Sequence, residues 1–157
     1  MRVSNILVAE DLDEDVLFLK TAFVRAGVNV PLRFVRNGQK AIQYLKGEEE
    51  FANRSDFPMP NLLLLDLKMP RLNGFDVLEW LRLQPDLRRL LVVVLTSSGL
   101  AADVNRAYDL GANSYLLKPS GWDEFECLVR QIEDYWLKAN LCGDLTSSLS
   151  QTPAPPR

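Results

Sequence analysis

Three acids, a hydroxyl and a lysine stand at the ends of four apolar runs. Glu10 and Asp11 follow Asn5-Ile6-Leu7-Val8-Ala9, and Asp66 follows Leu62-Leu63-Leu64-Leu65. Thr96 follows Leu91-Val92-Val93-Val94-Leu95, and Lys118, itself followed by Pro119, comes after Tyr115-Leu116-Leu117. One charge after a buried strand is ordinary. Four strand ends with compatible chemistry point to one pocket, because ligands of an open parallel sheet bind outside the carboxyl ends of its strands. Three carboxylates suit a hard cation, and an ammonium with a hydroxyl suits phosphoryl oxygens. A carboxylate can also act as a nucleophile toward phosphorus, a role open to the lone Asp66 behind its four leucines. The chain has no histidine, which excludes Ser-His-Asp and Cys-His nucleophile systems, histidine metal sites and a phosphohistidine of its own.

Those strand ends need elements to bring them together, and the hydrophobic periods supply them. Strands are predicted over 5–10, 32–35, 62–65, 90–95 and 114–117, alternating with helices over 13–26, 39–46, 75–83, 101–110 and 122–139. The first helix carries Val16, Leu17, Leu19, Phe23 and Val24 as its apolar face, and Asp13, predicted as a cap, opens it with Glu14 and Asp15. Gly27, Gly47 and Gly111 read as helix stops. The last helix bears a stripe of Phe125, Leu128, Val129, Ile132 and Trp136, with Trp122 and Tyr135 at its margins and Leu137 outside it. Residues 48–60 break the pattern with charges, Asn53, Ser55, Pro58 and Pro60, as a long surface-exposed insertion or partner contact would. Strict alternation of five strands and five helices predicts a three-layer α/β fold with a parallel sheet, and the length fits the flavodoxin-like order 2-1-3-4-5.

Composition narrows the setting. The 157 residues, 47% of them hydrophobic, suffice for one domain with an ordinary core. A net charge of −3 and the lack of a basic patch give no electrostatic drive toward nucleic acid. The apolar runs are too short for a membrane span, and no signal-like stretch precedes Glu10, so a cytoplasmic location without membrane contact is the expectation. Cys127 and Cys142 form neither a metal-binding spacing nor a disulfide framework. From about Cys142 the chain turns to Ser, Thr, Gln and Pro, so 141–157 reads as a polar, disordered tail.

Glu10-Asp11, the run Leu65-Asp66-Leu67-Lys68-Met69-Pro70 with Gly74 after it, Leu95-Thr96-Ser97-Ser98 and Lys118-Pro119 together resemble the receiver domain of two-component response regulators. The resemblance spans about Asn5 to Asn140 and makes 1–140 the receiver domain. The long segment before the third strand and the Leu-Thr-Ser-Ser run look most like the small stand-alone regulators paired with bacterial phytochrome-type sensor kinases. The resemblance implies an aspartyl phosphate at Asp66, formed with Mg²⁺ or Mn²⁺ and donated by a sensor histidine kinase. It implies metal ligation by Asp11 and Asp66, by Glu10 directly or through water, and by the backbone carbonyl of Lys68. Thr96 and Lys118 would contact the phosphoryl oxygens, and a cis peptide before Pro119 would aim the lysine inward. Tyr115 would be the switch aromatic that follows Thr96. Lys68 and Ser98 would flank the path of attacking water and tune phosphate lifetime.

The reading is thus of a module that catalyses only its own phosphorylation and dephosphorylation. With only a short tail after Asn140, output would pass through the receiver's own contacts or through relay to a histidine phosphotransfer protein. Two alternatives share the fold. A haloacid-dehalogenase-type phosphatase needs a second Asp two residues after the first, where Lys68 stands. A pseudo-receiver would bind partners without phosphorylation, which an intact site argues against. A nucleotide or flavin site would need a Gly- or hydroxyl-rich loop where Asp11-Leu12-Asp13-Glu14-Asp15 repels phosphate. The surplus of apolar groups on the last helix predicts a homodimer through the fourth helix, fifth strand and fifth helix.

Overall fold

In the computed structural model, which describes residues 1–145, five strands and five helices alternate along the chain. They are β1 (Ile6–Ala9), α1 (Asp13–Arg25), β2 (Leu32–Val35), α2 (Gly38–Lys46), β3 (Leu62–Leu65), α3 (Gly74–Arg82), β4 (Leu91–Thr96), α4 (Ala101–Asp109), β5 (Ser114–Leu117) and α5 (Trp122–Ile132). The sheet is parallel throughout, in the order β2-β1-β3-β4-β5. This is the flavodoxin-like arrangement that the alternation predicts.

Period-two alternation divides the core between the two faces of the sheet. Leu7, Ala9, Leu63, Leu65, Val92 and Val94 pack against α2, α3 and α4 through Tyr44, Leu45, Val77, Leu78 and Ala107. Ile6, Val8, Leu62, Leu64, Val93 and Leu95 pack against α1 and α5 through Leu19, Phe23, Phe125, Val129 and Ile132. The four leucines of β3 are fully enclosed, as a strand covered on both faces must be.

Several local expectations are corrected. On α1 the buried face is Val16, Leu19, Ala22 and Phe23, whereas Leu17 and Val24 are exposed. Each of those two lies one position beyond a buried residue, and one helical position is a turn of about 100°, which carries the side chain off the stripe. Beyond Ile132 the last helix continues from Glu133 to Ala139 with π-helical pairing. That i→i+5 pairing brings Leu137 under Ile132 and into the core, while Trp136 is left half-buried at its edge. A strictly α-helical stripe therefore names the wrong one of the two as the more buried.

The insertion 48–60 is docked rather than simply surface-exposed. Phe51 is buried and forms an aromatic cluster with Tyr44 and Phe57. The Arg54 guanidinium donates to the carbonyls of Tyr44 and Leu45 at 2.8 Å, satisfying the open C-terminal end of α2. The carboxyl-terminal segment also packs further than a tail starting at 141 implies. Cys142 is buried, its backbone N–H donates to the Met1 carbonyl, and Leu145 packs on the face of α2 and α3. The remainder of the predicted tail, 146–157, lies outside the described residues.

Candidate functional site

Backbone pairing continues one residue past the strands and fixes where the candidate side chains start. The N–H of Glu10 donates to Val35, that of Asp66 to Ala9, and that of Lys118 to Thr96, at 2.8–3.0 Å. These bonds set Glu10, Asp66 and Lys118 side by side on the carboxyl edge of the sheet. Gly74 lets the loop after β3 close onto this edge. A Cβ there would collide with the Asp66 carbonyl and the Leu67 Cα, so only glycine permits α3 to start so close to Asp66. Asn73 and Asp76 then cap α3 reciprocally, at 3.0 and 2.9 Å.

The side chains meet. Glu10, Asp11 and Asp66 each offer an oxygen to a group whose members lie within 4.8 Å of one another. Lys118 Nζ pairs with Glu10 at 2.6 Å, Asp15 at 2.8 Å and Asp66 at 2.9 Å. Burial raises the Glu10 carboxyl to about 7, with the Lys118 hydrogen bond opposing and the Asp66 charge reinforcing that rise. Burial works against the Lys118 charge, but hydrogen bonds to the three carboxylates outweigh it and hold the ammonium above the usual lysine range.

The polar atoms differ in what they already hold. Both Glu10 oxygens are engaged, one by Lys118 and the other by the Leu12 N–H at 3.1 Å. Asp11 Oδ1 and Thr96 Oγ1 are buried without a hydrogen-bond partner. Leaving such atoms unpaired costs roughly 1–3 kcal/mol each, so both are placed to welcome an incoming group. The donor set, all carboxylate oxygen with one free lone-pair site on Asp11, fits a hard divalent cation.

A second network lies two residues beyond Thr96. Ser98 Oγ donates to Asp103 Oδ2 on α4 at 2.5 Å, and the Tyr115 hydroxyl donates to the Ser98 carbonyl at 2.7 Å. The Tyr115 ring packs half-buried against the α2–α4 face of the core.

The sequence-predicted residues Glu10, Asp11, Asp66 and Lys118 thus converge, Thr96 ends the neighbouring strand opposite Leu117, and the Lys68 side chain is exposed. Two expectations are corrected. The described residues contain no cis peptide bond, so Lys118–Pro119 is trans, and three ion pairs direct the lysine inward. Asp13 does not cap α1: Leu12 occupies that position without a side-chain bond, and Asp13 pairs with Arg36 on the surface. Asp15 was missed as a site residue. An acid in a helix's first turn reads as a dipole complement, and the signal that could have marked it is a fourth carboxylate three positions from the Glu10-Leu12 turn, opposite a lysine at a strand end.

Comparison with known proteins places the chain in a family and agrees with its fold. The family described as the response regulator receiver domain matches residues 6–130. The chain is 36% identical over 135 residues to the probable methanogenesis regulatory protein FilR2 of Methanothrix harundinacea, covering 86% of this chain and 84% of that one. It is 35% identical over 133 residues to the response regulator Rcp1 of Synechocystis, covering 85% of this chain and 88% of Rcp1. Among solved structures it resembles response regulator RPA3017 in red light signalling of R. palustris, with a TM-score of 0.85, 38% identity and coverage of 89% and 98%. The phosphorylated cyanobacterial phytochrome response regulator RcpA gives 0.82, 33%, and coverage of 90% and 99%. The Mn²⁺-bound form of Rcp1 gives 0.80, 33%, and the same coverage.

Proposed function

The chain belongs to the receiver domain family of two-component response regulators, and on that premise we propose that Asp66 accepts a phosphoryl group from a phosphohistidine of a sensor histidine kinase. A carboxylate oxygen of Asp66 attacks phosphorus. The new O–P bond forms as the P–N bond to the donor imidazole breaks, and the imidazole leaves with the electron pair and takes up a proton. The observation that carries this reading is the meeting of Asp66 with Lys118 at 2.9 Å beside two further acids and an unpartnered Thr96 hydroxyl.

Asp11 and Asp66 would hold the cation, Mg²⁺ or Mn²⁺, with the Lys68 carbonyl as a further ligand and Glu10 through water. The free Asp11 oxygen and the full engagement of Glu10 support that division, and the Mn²⁺-bound form of Rcp1 supports the class of metal. When bound, the cation neutralises charge on the transferring phosphoryl oxygens. Lys118 and Thr96 receive those oxygens, the first as a charge and the second as a hydroxyl donor.

Switching follows from the second network. A Thr96 hydroxyl drawn toward the phosphoryl group pulls the end of β4, and Ser98 two residues on carries both Asp103 of α4 and the Tyr115 hydroxyl. The phosphoryl state is thereby passed to the face of α4, β5 and α5, where Leu117 and Tyr135 stand exposed. That face serves homodimer or partner contact, or the phosphoryl group is relayed to a histidine phosphotransfer protein. The likeness to RcpA and RPA3017 supports a phytochrome-type kinase as the donor's source.

Incubation with Mg²⁺ and acetyl phosphate, followed by intact mass, tests the reading. The wild type gains one acid-labile phosphoryl group and Asp66→Asn gains none. An equal gain in the folded mutant removes Asp66 as the acceptor.

A further inference from the structure

We propose that Asp15 is a positioning residue for phosphoryl transfer, holding the Lys118 ammonium over the strand ends while its other two partners change. This rests on the assignment of Asp66 as acceptor and adds a residue to that site.

An ammonium has three N–H donors and no acceptor. In Lys118 all three are matched by carboxylates, Glu10 at 2.6 Å, Asp15 at 2.8 Å and Asp66 at 2.9 Å. Glu10 and Asp66 belong to the acidic cluster that can hold a cation, and Asp15 does not. Conversion to an acyl phosphate also takes the negative charge off the Asp66 carboxyl. Asp66 therefore alters its bonding during the reaction, Glu10 shares its carboxylate with the cation's water, and Asp15 keeps its own. Without it, a side chain with four rotatable bonds would lose its fixed point when the phosphoryl oxygens need the ammonium in place.

Asp15 is built for this task and its neighbours are not. It lies in the first turn of α1 next to Val16, which the core holds. Its side chain is 18% exposed, against 93% for Asp13, which pairs with Arg36 instead. Asp13 and Asp15 complement the helix dipole alike, so the dipole does not explain why Asp15 turns inward. A fourth acid also adds repulsion to a site that must receive a phosphoryl group, a cost that a merely solvated acid would not impose.

The test compares phosphorylation rates from acetyl phosphate with Mg²⁺, read by intact mass. Asp15→Asn is expected to slow the reaction about tenfold. Asp13→Asn, the same charge change one helical face away, is expected to stay within about twofold of the wild type, and Asp15→Glu to recover most of the rate. In a Lys118→Ala background, adding Asp15→Asn should bring no further slowing, since the effect runs through the lysine. Should Asp15→Asn fail to fold, Asp15→Ser carries the same comparison. Equal rates for Asp15→Asn and Asp13→Asn, or an undiminished effect of Asp15→Asn without Lys118, overturn the role of Asp15 while leaving Asp66 the acceptor. A wild type that gains no phosphoryl group overturns the acceptor assignment, and this role with it.

Discussion

The two rims of the same sheet bury polar groups for opposite ends. At the amino rim the groups are amides. Asn61 Oδ1 accepts from the N–H groups of Ser4 and Asn5, and its Nδ2 donates to the Arg2 carbonyl. Asn5 Nδ2 reaches the Met59 carbonyl, and Asn113 exchanges two bonds with Val92 across the start of β4. Among these three amides, Asn5 Oδ1 lacks a partner. At the carboxyl rim the groups are charges, with three carboxylates on one ammonium and two oxygens left open on Asp11 and Thr96. Neutral amides stitch loops at little electrostatic cost. Clustered acids store unfavourable energy, which a bound cation would relieve. The open polar groups on the carboxyl rim are where the binding rule for open α/β sheets puts a ligand.

The largest expected effect comes from removing the ammonium that pairs with Glu10, Asp15 and Asp66 at the carboxyl rim. Lys118→Met leaves three carboxylates facing each other, and breaking such buried pairs costs about 3–5 kcal/mol. Chemical denaturation of the metal-free protein at pH 8 should show that loss. Adding Asp66→Asn to Lys118→Met should restore part of it. No restoration would mean that the acids are better solvated than their burial implies, and the contrast between the rims would weaken.

The amino rim provides the converse. Asn61→Ala strands the Ser4 and Asn5 N–H groups, at a cost of about 2–3 kcal/mol. Its melting temperature should fall while phosphorylation of the folded protein stays at the wild-type rate. A slowed reaction would show that the two rims are coupled through β1 and β3 rather than divided in labour.

Mg²⁺ should stabilise through the carboxyl rim alone. At about a hundredfold its Kd the gain is about 2.7 kcal/mol by mass action. Asp11→Ala should abolish that gain, measured as the melting shift between EDTA and Mg²⁺, and Asn61→Ala should retain it in full. A shift that survives in Asp11→Ala assigns the cation to other ligands.

The sequence made the carboxyl rim legible and hid much else. Glu10, Asp66, Thr96 and Lys118 follow uninterrupted apolar runs, so strand period and chain order alone bring them to one edge. Nothing comparable marks Asn61, which precedes β3 as an ordinary loop amide and acts through three backbone groups far from it in sequence. Leu137 was misplaced because a π-helical turn changes the period within one helix, and periodicity arguments assume that it is constant. Arg54 and Phe51 sit in a segment without any period, where docking depends on tertiary contacts with α2. Asp15 carried an adequate local explanation as a first-turn acid, and such a residue gives no reason to look for a second role.

The smallest effect separates the rims by pH. Glu10 titrates near 7 in the folded protein, raised by burial from 4.5. An acid whose folded pKa is raised holds its proton more tightly folded than unfolded. Its contribution is therefore neutral below about pH 4.5, turns unfavourable as pH rises toward 7, and is fully unfavourable above that. The loss is on the order of 1–3 kcal/mol, since a tenfold change in proton affinity is worth about 1.4 kcal/mol and the Lys118 pair moderates it. Metal-free protein should lose stability between pH 5 and 8 by this amount. Glu10→Gln, which cannot ionise, should flatten that slope without altering the amide rim. Asn61→Ala should lower the whole curve and keep the slope. If Glu10→Gln and the wild type fall in parallel across this window, Glu10 is ionised throughout, and the pairing with Lys118 outweighs burial in holding it as a carboxylate.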